Sequence, residues 1–509
     1  MKSQAQDWLT EDDLIRRAGS KGVPGAGGGR AAILAMPPEF LATTVQACGM
    51  YPWAIGGSTP MIGVPMGTNL LNSSTVCFDP IAWFTARPRL CDNPSIFVLG
   101  LPHKGKSTMV AHMLIGMSAR GIRPLILGDL KPDYVQVVRK LGGQVIRLGR
   151  GQGRWNPLTP GNIFAAADHI EAAGAAGGAD GLDRARTVAS GMRQEALGRQ
   201  LVALEGLIHI ARGDGLNEAE RNALTSALMI LNDKHLTANP PVIADLIALL
   251  ESSPPQVAEV VLARQDSTRY YAAVDPLIMS LKGLTRGPMG EVFAHQTTVA
   301  MDLDAPAIVV DVSGIGEADS KLLAAVLLLT WSEGFSTVEA RQAMADAGLV
   351  EPTHYFLVLD ELWKVMRTSA GMVDRIDAVT RLNRTWGIGQ AMISHSVRDL
   401  DALGEVDRVK AAGYIERAGA LLIGALPAKE FVRDDGNPGA LGDIVPFTDK
   451  EKQMVTRWAT PAGLGGDGGA IGNFLLKIGH APGVPFHVQL TSHEGLSVLN
   501  TNIRWGSSQ

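Results

Sequence analysis

Long hydrophobic runs are missing from this chain. The longest apolar stretches, such as Leu322–Trp331, are about ten residues, half of what a helix needs to cross a bilayer. The first apolar run follows Asp7, Glu11 and Asp12, a pattern that argues against a secretory leader there. Cysteine is scarce. Cys48, Cys77 and Cys91 are odd in number and lack the spacing of a metal cage or a disulfide framework. They are expected to be small packed side chains in a reducing compartment. Excess positive charge is missing too: 46 basic residues stand against 51 acidic ones, a net charge of −5. Binding to nucleic acid through overall charge is therefore excluded, and such a role needs a local patch. With 58 glycines and 28 prolines in 509 residues, composition stays below the level that signals disorder. The length suits several domains, or one large core with insertions. The expected location is the cytosol, with any membrane contact made through a partner.

What the chain does contain is GLPHKGKS at Gly100–Ser107. This is the G-x-x-x-x-G-K-S phosphate loop, or P-loop. It follows an apolar run, Ser95–Leu99, and opens a helix-like stretch from Thr108 to Arg120. That order of strand, loop and helix N-terminus is what the motif needs. Gly100 and Gly105 let the backbone of Leu101, Pro102, His103 and Lys104 curl so that its N–H groups face one point. The helix start, with Ser107 and Thr108, adds partial positive charge there. Lys106 reaches toward the β- and γ-phosphates of ATP, and the Ser107 hydroxyl is a ligand for Mg²⁺.

The second informative stretch is His354–Glu361, HYFLVLDE. An apolar strand ending in Asp-Glu is the Walker B pattern. Asp360 would hold Mg²⁺ beside Ser107, and Glu361 would orient and deprotonate the attacking water. A third stretch runs from Arg381-Leu382-Asn383-Arg384 to a strand ending Ser394-His395-Ser396. His395 and Ser394 are candidates to sense the γ-phosphate. Arg384, and less so Arg381, is a candidate arginine finger. A fourth feature is weaker. Residues 134–167 contain no acid but include Arg139, Lys140, Arg147, Arg150 and Arg154. A solvated helix face explains this best, with a nucleic-acid or subunit contact as the alternative.

Strand and helix patterns alternate from Ser95, with strands expected at Pro124–Asp129 and Gln144–Leu148 and a helix at Tyr134–Leu141. Such alternation predicts a parallel sheet with crossover helices. Residues 158–297 read as helical, at Ala185–Ala211, Asn217–Leu231 and Pro241–Leu250. Strands resume at Ala307–Asp311, Tyr355–Asp360, Gln390–Ser394, Ala420–Ile423, Phe474–Ile478 and Phe486–Leu490. Long helices are expected at Asp319–Phe335 and Met372–Leu382. Before the core, Met61–Val64 and Thr75–Phe78 read as short strands around Gly67-Thr68-Asn69.

Several of these stretches together resemble the type IV secretion and conjugation ATPases of the VirB-four/TraC type, within the HerA–FtsK group of P-loop motors. The resemblance rests on Asp129–Tyr134, Leu141-Gly142-Gly143, Asn156-Pro157, Leu216–Glu220, Gly290–Phe293, Asp311-Val312-Ser313, Asp360–Trp363, Arg384, and Ser394-His395 with Asp399-Leu400. It covers about residues 60–505. Three departures stand out. Pro102, which lacks an N–H, and His103 replace small residues of the loop. His395 replaces a glutamine. The segment before the core is far shorter than the N-terminal domain of full-length relatives.

The resulting expectation is an α/β fold: a RecA-like P-loop NTPase sheet with an all-helical insertion and a small β-containing N-terminal module. The expected divisions are a flexible tail (1–30), the module (31–90), the first part of the core (91–157), the insertion (158–297), the second part of the core (298–492) and a C-terminal tail (493–509). The expected activity is Mg²⁺-dependent ATP hydrolysis. Lys106 and Arg384 neutralise phosphoryl charge, Glu361 positions water, and His395 senses the γ-phosphate. The resemblance implies a homo-hexameric ring with its finger supplied by the neighbouring subunit. It also implies work at the cytoplasmic face of an inner-membrane complex that transfers DNA or protein. Two alternatives stay open: a motor that contacts and translocates DNA itself, and a low-turnover nucleotide-gated scaffold suggested by Pro102, His103 and His395.

Overall fold

The computed structural model describes residues 58–176, 178–234, 240–263, 265–361, 387–397, 412–432, 439–460, 470–479, 481–492 and 494. The expected helix Met372–Leu382 and both arginine-finger candidates, Arg381 and Arg384, lie outside the described residues. So do Cys48, Trp363 and Asp399-Leu400.

Among the described residues the strands are β1 (Pro65–Asn69), β2 (Thr75–Cys77), β3 (Ser95–Leu99), β4 (Arg123–Asp129), β5 (Gln144–Arg147), β6 (Ile308–Asp311), β7 (Tyr355–Leu359), β8 (Ile388–Ser394), β9 (Ala420–Ile423), β10 (Asn473–Lys477) and β11 (Val484–Val488). They form one sheet in the order β2-β1-β11-β10-β9-β3-β8-β7-β4-β6-β5. From β9 to β5 every pairing is parallel. From β9 through β10, β11 and β1 to β2 every pairing is antiparallel. The fold is therefore α/β, with a parallel centre, as the alternation predicts, and an antiparallel edge.

Period-two burial explains why the centre holds. In β3 the Phe97 and Leu99 side chains join one core layer, with Leu125, Leu127, Leu357 and Leu359 of the neighbouring strands. Ile96 and Val98 join the opposite layer, with Ile126, Phe356 and Val358. All are buried, and each contributes about 1.5–3 kcal/mol relative to exposure. An apolar run with no polar alternation is what a strand covered on both faces requires.

Helices α1 (Pro80–Thr85), α2 (Lys106–Ser118) and α3 (Val135–Lys140) accompany the first strands. Between β5 and β6 come α4 (Asn162–Ala175), α5 (Gly178–Arg212), α6 (Glu218–Lys234), α7 (Ile243–Glu251), α8 (Pro255–Val260), α9 (Ser267–Leu284) and α10 (Gly287–Phe293), with no strand among the described residues of that interval. Helix α11 (Ser320–Asp346) follows β6, and α12 (Asp449–Ala459) precedes β10. By length and composition α11 is apolar enough to cross a membrane, but 78% of its most apolar window is buried inside the fold. It packs close to β4. A Cβ on Gly334 would meet Leu127 at 2.4 Å, and one on Gly128 would meet Leu327 at 2.4 Å. The Thr330 hydroxyl donates to the Leu127 carbonyl at 3.0 Å.

One expected element moves. The strand placed at Met61–Val64 is instead β1, Pro65–Asn69, and Gly67-Thr68-Asn69, expected between two strands, is inside it. Gly67 faces Val488 of β11, where a Cβ would lie 1.9 Å from the His487 carbonyl oxygen. The glycine serves close backbone approach within the sheet. Cys77 and Cys91 are buried free thiols, as small packed side chains should be.

Candidate functional site

Parallel pairing brings the carboxyl ends of β3, β8, β7 and β4 side by side. In an open α/β sheet that edge is where ligands sit. The P-loop leaves β3, His395 follows β8, Asp360-Glu361 follows β7, and the Leu130–Asp133 loop follows β4. Stretches as far apart in the chain as Lys106 and His395, 289 residues, thus meet at one place.

The P-loop turns through left-handed backbone at His103 (φ 60°) and Gly105 (φ 91°). Gly105 caps α2, and a Cβ there would meet the Gly472 nitrogen at 3.4 Å. The Gly472 N–H donates to the Lys104 carbonyl at 3.2 Å. Lys104 Nζ donates to the Trp458 carbonyl of α12 at 3.2 Å. Pro102 and His103 are exposed at the loop tip. No acidic side chain lies in the first turn of α2, so the helix itself sets no negative charge against its N-terminal positive potential. Lys106, 7% exposed, folds over its own loop. Its Nζ donates to the Gly100 carbonyl at 2.6 Å and to the Leu101 carbonyl at 3.1 Å, and lies 2.9 Å from His395 Nδ1. A curled loop, a helix N-terminus and a buried ammonium together suit a polyphosphate.

Ser107 Oγ donates to Asp360 Oδ2 at 3.4 Å. The same carboxylate oxygen accepts the Tyr134 hydroxyl at 2.9 Å, and Asp360 Oδ1 accepts the Glu361 N–H at 2.8 Å. Burial raises the Asp360 carboxyl above its ordinary value, and the neighbouring Glu361 charge adds to this. The Tyr134 hydrogen bond opposes it. Ser107 and Asp360 present hard oxygens, the donor type Mg²⁺ takes alongside phosphate and water, so the pair suits that ion. Among the described residues no group of three or more His, Cys, Asp or Glu forms a metal cage.

Glu361 sits in left-handed backbone, φ 52°, a region that is sparse for side-chain-bearing residues and is found at functional sites. Its Oε1 accepts from Lys131 Nζ at 2.6 Å, and its Oε2 is 3.2 Å from His395 Nε2. Burial alone would raise this carboxyl, but His395 and Lys131 together outweigh it and hold it well below the usual carboxylate range. Burial likewise lowers the Lys131 ammonium, and Glu361, Asp360 and Asp133 more than restore it. A continuous polar chain results, Lys131–Glu361–His395–Lys106. Ser394, the other sensor candidate, is 1% exposed and its hydroxyl donates to the Ser396 carbonyl at 3.3 Å.

Sequence reasoning assigned no role to Lys131 or Tyr134, although both lie in the Asp129–Tyr134 stretch. The available signal was an acid-ended strand followed by a polar loop, since strand ends next to a Walker B strand face the same ligand edge. In the basic stretch, Arg147 pairs with Asp311 at 3.4 Å and Arg150 with Asp319 at 3.2 Å. These contacts agree with a solvated, internally balanced face.

No family model and no curated protein matches the chain. Among solved structures, that of VirB4 of Thermoanaerobacter pseudethanolicus aligns with a TM-score of 0.57 and 18% identity, over 86% of this chain and 99% of its own. The plasmid coupling protein TrwB, solved in complex with ADP and Mg²⁺, aligns more loosely. Its TM-score is 0.42 and its identity 13%, over 78% of this chain and 85% of its own. At these identities the similarity to VirB4 concerns the fold. That fold, a RecA-like sheet carrying a P-loop, is the one the order of the motifs predicts.

Proposed function

We propose that the protein is the ATP-hydrolysing motor of a type IV secretion or conjugative transfer system, energising substrate transfer or channel assembly. The observation that carries this reading is the convergence of Lys106, Ser107, Asp360, Glu361 and His395 at adjacent strand ends. The shared fold with VirB4 supports it, as does TrwB's having been solved with ADP and Mg²⁺. Gly100, Gly105 and the loop backbone hold the phosphates, and Lys106 turns from its carbonyl partners toward the β- and γ-oxygens. Ser107 and Asp360 would hold Mg²⁺, which would supply neutralisation of the developing phosphoryl charge. Glu361 takes the proton of the attacking water. His395, touching both Lys106 and Glu361, links occupancy of the phosphate loop to the base. Arg384 of a neighbouring subunit completes the site in a ring, probed below. DNA or protein is the transferred substrate, and inner-membrane components are the partners.

The deciding experiment is steady-state ATP turnover of wild type beside Glu361→Gln and Lys106→Ala. Glu361→Gln is expected to lose about 10²-fold or more in kcat while still binding an ATP analogue. Lys106→Ala is expected to lose binding as well. A wild type no faster than Glu361→Gln, with nucleotide still bound, rejects the motor. One observation favours that outcome: both oxygens of Glu361 are engaged, by Lys131 and His395. Equal slow rates would leave the protein a nucleotide-gated scaffold.

A further inference from the structure

We propose that Lys131 is a positioning residue for Glu361, the fixed anchor that keeps its carboxylate aimed while the rest of the site exchanges partners. The proposal rests on hydrolysis at the P-loop as read above. Lys131 stands two residues beyond β4, the strand next to β7. Its loop is tied at the base. Asp129, 1% exposed, accepts the Asp133 N–H at 3.3 Å and the Tyr134 N–H at 3.0 Å. Beyond Asp133 the Tyr134 hydroxyl is fastened to Asp360. Lys131 therefore projects from a loop held to the same carboxylates that form the site.

The two tethers of Glu361 differ. His395 also contacts Lys106, so any movement of Lys106 onto a phosphate disturbs it. Among the described residues Lys131 makes no hydrogen bond or ion pair to the P-loop; the charges around it are Glu361, Asp360 and Asp133. It can hold Oε1 throughout a cycle in which Oε2 gains and loses His395. Ordinary surface ion pairs contribute little, but this one is asymmetric. The Glu361 side chain is 7% exposed and that of Lys131 60%. A charge-assisted bond to a buried carboxylate is stronger and more directional than an exposed pair. It leaves a lone pair of the carboxylate for water.

The test compares kcat for ATP turnover of wild type, Lys131→Met and Lys131→Arg, with ATP-analogue binding measured on each. In Lys131→Met, kcat is expected to fall about 10–100-fold through loss of aim, with analogue affinity kept within about twofold. Lys131→Arg should restore most of the rate. An active wild type beside a Lys131→Met enzyme with unchanged kcat overturns the proposal and leaves the motor reading standing. Loss of analogue binding in Lys131→Met, or a rate loss that Lys131→Arg does not restore, also overturns it by marking a structural role. A wild type no faster than Glu361→Gln overturns both.

Discussion

Asp360 and Glu361 are adjacent carboxylates pushed in opposite directions. Burial and its neighbour's charge raise Asp360, while His395 and Lys131 overcome burial and lower Glu361. The pair is thereby separated into one carboxylate whose charge is disfavoured and one whose charge is favoured. Tyr134, with no exposed surface, is the one phenol holding Asp360 from the side of β4 among the contacts described. Its own hydroxyl is held well above the ordinary tyrosine value, chiefly by burial, so it remains a donor. Tyr134→Phe removes a hydrogen bond to a carboxylate and is expected to cost about 1.5–3 kcal/mol of stability, read from denaturant unfolding. In activity assays it should raise the Mg²⁺ concentration needed for half-maximal turnover, because Asp360 becomes less ionised. Unchanged unfolding and unchanged Mg²⁺ response would remove Tyr134 from the site. At this scale the sequence made Gly100–Ser107 and Asp360-Glu361 legible, since their spacing is a motif. It hid Tyr134 and Lys131, whose relation to Asp360 and Glu361 spans more than 220 residues.

Helix α12 shows how an element outside the motifs steadies the P-loop. Its N-terminus is a capping box. Thr448 Oγ1 accepts the Glu451 N–H at 3.3 Å, and Glu451 Oε2 accepts the Thr448 N–H at 2.7 Å. Glu451 also accepts the Gly483 N–H at 2.6 Å and Lys477 Nζ at 3.2 Å. The helix start is thereby pinned to β10 and to the entry of β11, while the far end offers the Trp458 carbonyl to Lys104. Burial would raise the Glu451 carboxyl, but these donors lower it below its ordinary value. A carboxyl lowered by folding adds stability above its unfolded pKa, and that stability is lost as pH falls through the folded one. Glu451→Gln strands Lys477, 2% exposed, and is expected to cost about 3–5 kcal/mol. The difference from wild type should shrink as pH drops below the ordinary carboxylate range, measured by urea unfolding at several pH values. A pH-independent difference would mean that the ion pair is not its source. Elements were mostly legible, because buried strands such as β3 and β7 are continuous apolar runs. β1 was displaced because glycine is poor in strand propensity, and only its pairing with β11 gives Gly67 a place in a strand.

For the molecule as a whole, the open question is whether one chain completes the site. The edge formed by β3, β8, β7 and β4 supplies Lys106, Ser107, Asp360, Glu361, His395 and Lys131. If Arg384 acts on a neighbour's γ-phosphate, mixing Arg384→Ala with Lys106→Ala subunits pairs intact half-sites. Turnover should then recover to a measurable fraction, against a loss of about 10³–10⁵ for a missing finger. No recovery in mixed assemblies of proven composition would place Arg384 elsewhere. The sequence by itself determined that a P-loop motif and an apolar strand ending in Asp-Glu share one α/β chain. These are local facts, carried by glycine spacing, apolar period and strand-end acids. Only the tertiary structure decided that β8 stands between β3 and β7, which puts His395 between Lys106 and Glu361. It alone decided that β4 lies next to β7, which puts Lys131 on Glu361 and Tyr134 on Asp360. Strand order is fixed by which faces bury best across the whole sheet, and no local stretch of residues encodes it.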